Sequence, residues 1–329
     1  MFAPMSTALL PRRANTRHLR KPAFWRLGRS ASSAAALLLG AILPRSLSIA
    51  AAQPEGPRVA PAEVERPVAR APRLQAGQAC PAEMVRVRDF CIDRWEVMTV
   101  DRASGQALSP FYPPARGKLL AVHRAWLVER WLAPEPGARR MPLPDLSEWQ
   151  KTHDFAPKAV ARAGVIPQGY LSYHLAKQSC ANAGKRLCTR DEWVTACQGE
   201  HRTRFPYGEQ FVAGRCNTHR SLHPAATLHG EASVGHRDPR LHLVEEAGSP
   251  PLLAATQAFV GCASPWGNDR IYDMVGNLDE WVDAEAGLFL GGFYARSTTK
   301  GCEAKVSNHS QAYFDYSTGT RCCWPAAAP

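Results

Sequence analysis

The stretch that decides the fold is IYDMVGNLDEWV, residues 271–282. Its centre, Gly276-Asn277, predicts a tight turn between two acids, Asp273 and Glu280. Calcium prefers six to eight oxygen ligands that combine carboxylates with backbone carbonyls. A turn that presents carbonyls between two acids therefore suits this ion. The alternative is a turn in which the two carboxylates only accept backbone N–H bonds.

Upstream, the stretch GKRLCTRDEW, residues 184–193, predicts the boundaries of two helices. Ser172 can cap a helix that runs through Ala183 and is stopped by Gly184. Thr189 and Glu192 have the capping-box spacing, in which each side chain satisfies a free N–H of the other residue. The second helix would carry Trp193 and Cys197 and end near Gly199.

Elsewhere the pattern predicts a short hairpin at 84–92 and a helix over 118–133. Residues 219–256 form a long irregular insertion in this interpretation. It is either a solvated loop or a metal-binding tract, since it contains five of the eleven histidines: His219, His223, His229, His236 and His242.

All ten cysteines lie beyond residue 79, and their spacings lack the CxxC pairs typical of zinc sites. An even number of cysteines in an exported chain indicates disulfides. The sequence therefore predicts up to five structural bridges.

Residues 1–52 are ordered as in an export signal. Basic residues occupy 12–29, an apolar stretch covers 31–43, and three alanines precede Gln53. An uncleaved signal anchor and a disordered basic tail are the alternatives. Residues 53–79, rich in Pro and Ala, are expected to be a linker. The folded part would then be periplasmic, on the cell surface or extracellular.

The net charge of +11 does not belong to the folded part. Residues 1–52 contain eight basic residues and no acidic one, whereas residues 80–329 contain 28 basic and 26 acidic residues. This distribution excludes a nucleic-acid partner. Contact with a membrane is expected only if the leader stays uncleaved. The chain is 45% hydrophobic, enough for one domain over 80–324 with a tail at 325–329.

Four blocks together resemble the formylglycine-generating enzyme (sulfatase-modifying factor) family over residues 80–324. Three blocks of that family read like GKRLPTEAEWE, LYDMVGNVWEWV and RGGS…GFRC. The matching stretches here are GKRLCTRDEW (184–193), IYDMVGNLDEWV (271–282), and LGGFY (290–294) with GTRC (319–322). The fourth block, FCIDRWEV (90–97), precedes the other three in the chain.

The resemblance implies a single, disulfide-rich α+β domain related to C-type lectins, with few helices, short strands and much irregular backbone. It implies the bridges Cys180–Cys322 and Cys197–Cys302, with Cys80 and Cys91 also bridged. The pairing of Cys188, Cys216, Cys262 and Cys323 stays open.

The resemblance also implies a structural calcium site. Its ligands would be the side chains of Asp273 and Glu280 and the carbonyls of Gly276 and Leu278. A second calcium site would begin at Asn217 and Thr218.

Family members oxidise a substrate cysteine to formylglycine with O2 and a Cu(I) ion held by two cysteines. Soft thiolates suit Cu(I). The position of the first copper cysteine is Arg296 here. Cys302 is the only candidate for the second, and the resemblance assigns it to a disulfide instead. We therefore expect no copper and no copper-dependent formylglycine generation.

Two functions remain open. One is a binding or structural module of the cell envelope, with a peptide, glycan or protein ligand. The other is an enzyme with altered, copper-independent oxidoreductase chemistry in a pocket lined by Arg296, Tyr294, Trp281 and His309. Arg296 could bind a carboxylate or sulfate there. His309 is either a structural histidine or a base.

Overall fold

The computed structural model describes residues 72–75, 77–246, 249, 251–284, 286–296 and 298–325. The predicted export signal and most of the predicted linker lie outside these residues. Within the described part, no helix is both long and apolar enough to span a bilayer.

The described chain is a mixture of short helices and short strands. The six α-helices are α1 (Arg116–Glu129), α2 (Pro136–Arg140), α3 (Glu148–Thr152), α4 (Tyr173–Asn182), α5 (Arg190–Gln198) and α6 (Pro224–His229), with 3₁₀ turns at Arg130–Leu132, Leu241–Leu243 and Gly301–Glu303. The strands are β1 (Met84–Val87), β2 (Phe90–Asp93), β3 (Val97–Asp101), β4 (Pro157–Ala161), β5 (Arg186–Leu187), β6 (Ala263–Trp266), β7 (Asp269–Tyr272), β8 (Asp279–Val282), β9 (Leu288–Leu290), β10 (Lys305–Val306), β11 (Thr318–Thr320) and β12 (Cys322–Trp324).

These strands form two four-stranded sheets and two two-stranded sheets, β3 with β4 and β6 with β7. One sheet has the order β1-β2-β12-β5, and the other has the order β10-β9-β8-β11. In the second sheet, β8 runs antiparallel to β9 and parallel to β11. The last two strands of the chain thus enter both sheets, β12 between β2 and β5 and β11 at the edge beside β8. The predicted disulfide-rich α+β fold is confirmed.

The helix caps predicted from the sequence are present. The Ser172 side chain accepts a hydrogen bond from the N–H of Leu175 at the start of α4. Thr189 and Glu192 form the reciprocal capping box of α5. The hairpin of β1 and β2 also follows the prediction. The predicted helix over 118–133 is α1, which begins two residues earlier and continues as a 3₁₀ turn.

The segment 219–256 is less solvated than its composition indicates. It contains α6 and a 3₁₀ turn, and the side chains of Asp238, Arg240, Leu241 and His242 are buried. Arg240 and Asp238 satisfy each other, with 2.6 Å between Nη2 and Oδ2. A polar sequence could thus enter the interior because its charges are paired there.

All ten cysteines form disulfides, so the predicted bridges are present. The structure pairs Cys180 with Cys322 and Cys197 with Cys302, as the resemblance implies. The complete set is Cys80–Cys91, Cys180–Cys322, Cys188–Cys323, Cys197–Cys302 and Cys216–Cys262. Each such bridge contributes about 2–4 kcal/mol by restricting the unfolded chain. The adjacent Cys322 and Cys323 fasten β12 to two different segments.

The buried Arg321 ties several elements to β8. Its Nε and Nη2 each donate to the Glu280 carboxylate at 2.7 Å. Nη1 donates to the carbonyl of Asp93, and Nη2 also donates to that of Tyr272. The indole N–H of Trp193 donates to Glu280 at 2.7 Å. One ion pair therefore joins β2, β7, β8 and α5.

We predict that Arg321→Met lowers the free energy of unfolding by about 3–5 kcal/mol, because it leaves Glu280 buried without its cation. Urea unfolding measures the loss. Arg94→Met is the matched control, since Arg94 pairs with the half-exposed Asp269 at 2.7 Å. A surface pair of this kind is worth at most about 1 kcal/mol. Equal losses in the two variants would contradict the prediction.

Candidate functional site

The turn that precedes β8 requires left-handed backbone at three positions. Asp273, Gly276 and Asn277 have φ values of 59°, 87° and 58°. A Cβ on Gly276 would lie 2.3 Å from the carbonyl oxygen of Asn217, so only glycine fits there. The N–H of Asn277 donates to that same carbonyl at 2.9 Å. This close approach positions both predicted calcium segments side by side.

Glu96, which the sequence analysis did not single out, joins the two predicted carboxylate ligands. Its oxygens accept from Asn277 Nδ2 at 2.6 Å and from the N–H of Leu278 at 3.1 Å. Burial raises its pKa well above the usual value, and the charges of Asp273 and Glu280 raise it further. The FCIDRWEV block contains Glu96, which was the available signal.

The three carboxylates carry more negative charge than Arg321 balances. Burial raises the pKa of Asp273 to about 7, although it accepts the N–H of Gln257 at 2.7 Å. In addition, Asn217 Oδ1 is buried without a hydrogen-bond partner. An excess of buried acid and an unused amide oxygen are features that a calcium ion would satisfy.

The residues therefore fit calcium, although both oxygens of Glu280 already accept from Arg321. Among the described residues, no three His, Cys, Asp or Glu side chains are grouped to hold a metal ion. Calcium binding would consequently depend on backbone carbonyls, including those of Gly276, Leu278 and Thr218. The calcium sites stay a prediction.

Arg296, which the family resemblance places at the position of the first copper cysteine, forms an ion pair with Asp279. Arg296 Nη1 lies 2.7 Å from Asp279 Oδ1, and the two side chains are 35% and 0% exposed. Asp279 stands where the family block LYDMVGNVWEWV has Trp. Two departures from the family pattern thus lie against each other and compensate in charge. Asp279 was not among the predicted site residues, and its difference from the family block was the available signal.

Asp279 is electrostatically unusual. Burial raises its pKa to about 7, and the charge of Asp315 raises it while Arg296 lowers it. Its Oδ2 is buried without a hydrogen-bond partner. Asp315, in contrast, accepts hydrogen bonds from Tyr313, from the Ser317 hydroxyl and from the Ser317 N–H. The Asp279 carboxylate therefore depends on Arg296 for its stabilisation.

Of the other predicted pocket residues, Trp281 and His309 both pack against Phe289, whereas Tyr294 lies in another cluster. Trp281 is fully buried, and its indole N–H donates to the carbonyl of Leu171 at 2.7 Å. Tyr294 is fully buried in another cluster, with its hydroxyl 3.2 Å from His242 Nδ1. His309 stacks on Tyr313 with ring centroids 3.7 Å apart. Three cavities in the described structure are lined by other residues, so the Arg296 pocket stays a prediction.

No thiol is free around Arg296. Cys302, the candidate for the second copper ligand, is fully buried and bonded to Cys197 at the end of α5. This bridge fastens the chain after β9 to the helix that carries Trp193. The Cys302 thiol, which would be a soft metal ligand if free, is therefore part of a structural disulfide.

We predict that Arg296→Met destabilises the protein by about 1–3 kcal/mol, because the buried Asp279 loses its charged partner. Asp279→Asn in the same background should recover part of this loss, since it removes the unpaired charge. Thermal and urea unfolding measure both effects. Arg190→Met, which removes a surface ion pair with Glu303, is the matched control. If Arg296→Met is as stable as the wild type, Asp279 does not depend on Arg296.

Comparison with known proteins gives one family match. A family model described as "Sulfatase-modifying factor enzyme 1-like domain" matches residues 55–325. The curated "Inactive C-alpha-formylglycine-generating enzyme 2" of Mus musculus is 25% identical over 214 residues, which cover 61% of this chain. The match spans 60% of the length of that relative.

Two solved structures are also similar to this chain. The structure titled "Crystal Structure of CarF" has a TM-score of 0.34 at 13% identity, covering 74% of this chain and 88% of the other. PvdO from Pseudomonas aeruginosa has a TM-score of 0.32 at 16% identity, covering 71% and 80%.

Proposed function

The chain belongs to the family of sulfatase-modifying factor enzyme 1-like domains, and on this premise we propose that it is a divergent, non-catalytic member. It would be an exported binding or structural module of the cell envelope that does not generate formylglycine with copper. The observation that carries the proposal is that all ten cysteines are used in disulfides. No thiolate is then left for Cu(I).

The electrostatics at the copper position also support the proposal. The guanidinium of Arg296 occupies the position of the first cysteine and would repel a metal cation. Its partner Asp279 is fully buried, and their ion pair at 2.7 Å holds the side chain in place. On this proposal an ion pair stands at the first copper position, and the only candidate for the second copper cysteine is held in a disulfide.

The similarity to a mouse protein that is inactive by name agrees with this proposal. The five disulfides are typical of an oxidising compartment, which supports export. The near balance of 28 basic and 26 acidic residues in 80–329 argues against nucleic acid as the ligand. A peptide, a glycan or another protein remains as the class of ligand.

We predict that the purified protein forms no aldehyde on a cysteine peptide that active family members oxidise, and that it takes up no Cu(I) from a competing chelator. Peptide mass spectrometry and a chelator titration measure the two quantities. Cys197→Ser is the control variant, because it frees the Cys302 thiol and should take up Cu(I) weakly. Stoichiometric Cu(I) in the wild type, together with aldehyde formation, would overturn the proposal.

The proposal includes calcium in a structural role at the turn before β8. Calcium would neutralise part of the charge of Glu96, Asp273 and Glu280, which Arg321 alone faces. The unpartnered Asn217 Oδ1 would serve the second site. Because the folded state alone presents these oxygens together, calcium would stabilise it by mass action.

We predict that calcium at 100 times its dissociation constant stabilises the protein by about 2.7 kcal/mol and that EDTA reverses this effect. Asp273→Asn should reduce the rise in melting temperature, since Asn tolerates left-handed backbone but lacks the charge. Asp191→Asn changes a side chain that is 89% exposed and should leave the effect intact. A melting temperature that is independent of calcium would refute the calcium sites.

A second candidate function is an enzyme with copper-independent chemistry at Arg296. The buried Asp279 Oδ2 without a hydrogen-bond partner, beside the partly exposed Arg296, is the observation that favours it. Such a constellation could orient a substrate that donates to Asp279 and accepts from Arg296. Turnover abolished by Asp279→Asn but unaffected by Cys197→Ser would support it over the binding module.

A further inference from the structure

A cleft of about 580 Å³ lies between α1 and the segment 233–237, with Phe314 in its lining. One wall is apolar and consists of Val122, Ala125 and Trp126 of α1. Two cations also line it, Lys118 near the start of α1 and Arg237 on the facing segment, and the acid Glu129 lines it at the far end of α1. We propose that this cleft binds a small organic anion that also carries an apolar or aromatic group.

Both cations lie against the ring of Phe314. Lys118 Nζ lies 4.9 Å and Arg237 Cζ lies 4.5 Å from the centroid of the Phe314 ring. Within the described chain, neither side chain forms an ion pair. Burial and the charge of Arg237 both lower the pKa of Lys118, which reflects two neighbouring cations without an acid between them. A ligand anion would remove this repulsion and accept charge-assisted hydrogen bonds from both.

The apolar wall indicates that the ligand is more than an inorganic ion. Val122 and Trp126 are buried residues of α1 whose edges line the cleft. The volume lies in the range of small-molecule sites, which combine apolar walls with a few placed polar groups. A sulfate or phosphate ion alone would fill only the cationic end. An aromatic or aliphatic group attached to the anion would cover the wall and exclude water from it.

The cleft is held in shape by buried polar contacts behind it. The N–H of Asp238 donates to the carbonyl of Gly235 at 2.8 Å, and the hydroxyl of Tyr170 donates to the Asp238 carbonyl at 2.6 Å. The Asp238 carboxylate is bonded to Arg240. These contacts fix the backbone on the C-terminal side of Arg237. A preformed site loses little conformational entropy when a ligand binds.

This inference rests on the proposed function of a binding module and gives the chemistry of one ligand. The cleft contains none of the residues predicted around Arg296. Formylglycine formation by the protein would therefore refute the proposed function without affecting the proposed anion site. Failure of the cleft to bind an anion would leave the proposal that the protein lacks copper-dependent catalysis unchanged.

The test uses anilinonaphthalene sulfonate, an aromatic sulfonate whose fluorescence rises in apolar sites, as the probe on the full folded chain. The wild type should bind one probe saturably. The double variant Lys118→Gln/Arg237→Gln loses two charge-assisted contacts and should raise the dissociation constant about tenfold or more. Ala121→Glu, which puts an acid at an exposed position of the same cleft, should weaken binding similarly.

Arg124→Gln is the matched control, because Arg124 is an exposed cation of α1 that does not line the cleft. Each variant's melting temperature confirms that it is folded. Inorganic sulfate should compete only weakly with the probe, and benzene sulfonate should compete better. The proposal is overturned if the probe does not bind saturably, if the cleft variants bind it as the control does, or if sulfate competes as well as benzene sulfonate.

Discussion

The guanidinium of Arg321 faces three buried carboxylates, Glu96, Asp273 and Glu280, and the rest of the domain is arranged around this contact. A buried carboxylate must be paired or protonated, since the interior cannot solvate its charge. Arg321 meets that requirement for Glu280 through two hydrogen bonds at 2.7 Å, and its remaining donors reach the carbonyls of Asp93 and Tyr272. The orientation of β8 is therefore set by an electrostatic constraint as well as by apolar packing.

Strand β8 carries two buried carboxylates with different partners, one on each face. Asp279 and Glu280 are consecutive, and side chains of consecutive strand residues point to opposite faces. The Glu280 carboxylate accepts hydrogen bonds from Arg321 and Trp193, whereas the Asp279 carboxylate accepts one from Arg296. The carboxylate that supports the fold and the carboxylate that pairs with Arg296 therefore lie on opposite faces of one strand. The disulfide of Cys302 with Cys197 separately links α5 to the segment after β9.

Local features were predictable from the sequence because their causes are local. The Ser172 cap, the Thr189 capping box and the β1–β2 hairpin depend on neighbouring residues. Asp273 and Glu280 of the cluster around Arg321 were predicted together, but the contact of Glu96 with Leu278 joins positions 182 apart in the chain, which no short motif indicates. The pairing of Arg296 with Asp279 had a signal, namely two departures from the family blocks, but only the structure brings them together. The polar composition of 219–256 favoured a solvated loop, but residues 238–242 are buried because Asp238 and Arg240 neutralise each other in the interior.

We propose that Arg296 and Asp279 form an ion pair at the first copper position and that the disulfide of Cys302 leaves no thiolate for the metal. The most direct test is to denature the purified protein without reductant, alkylate its free thiols and map the cysteines by mass spectrometry, with copper measured in the same sample. The account predicts no alkylated cysteine, a crosslinked peptide containing Cys197 and Cys302, and no bound copper. An alkylated Cys302 in protein that carries stoichiometric copper would contradict it.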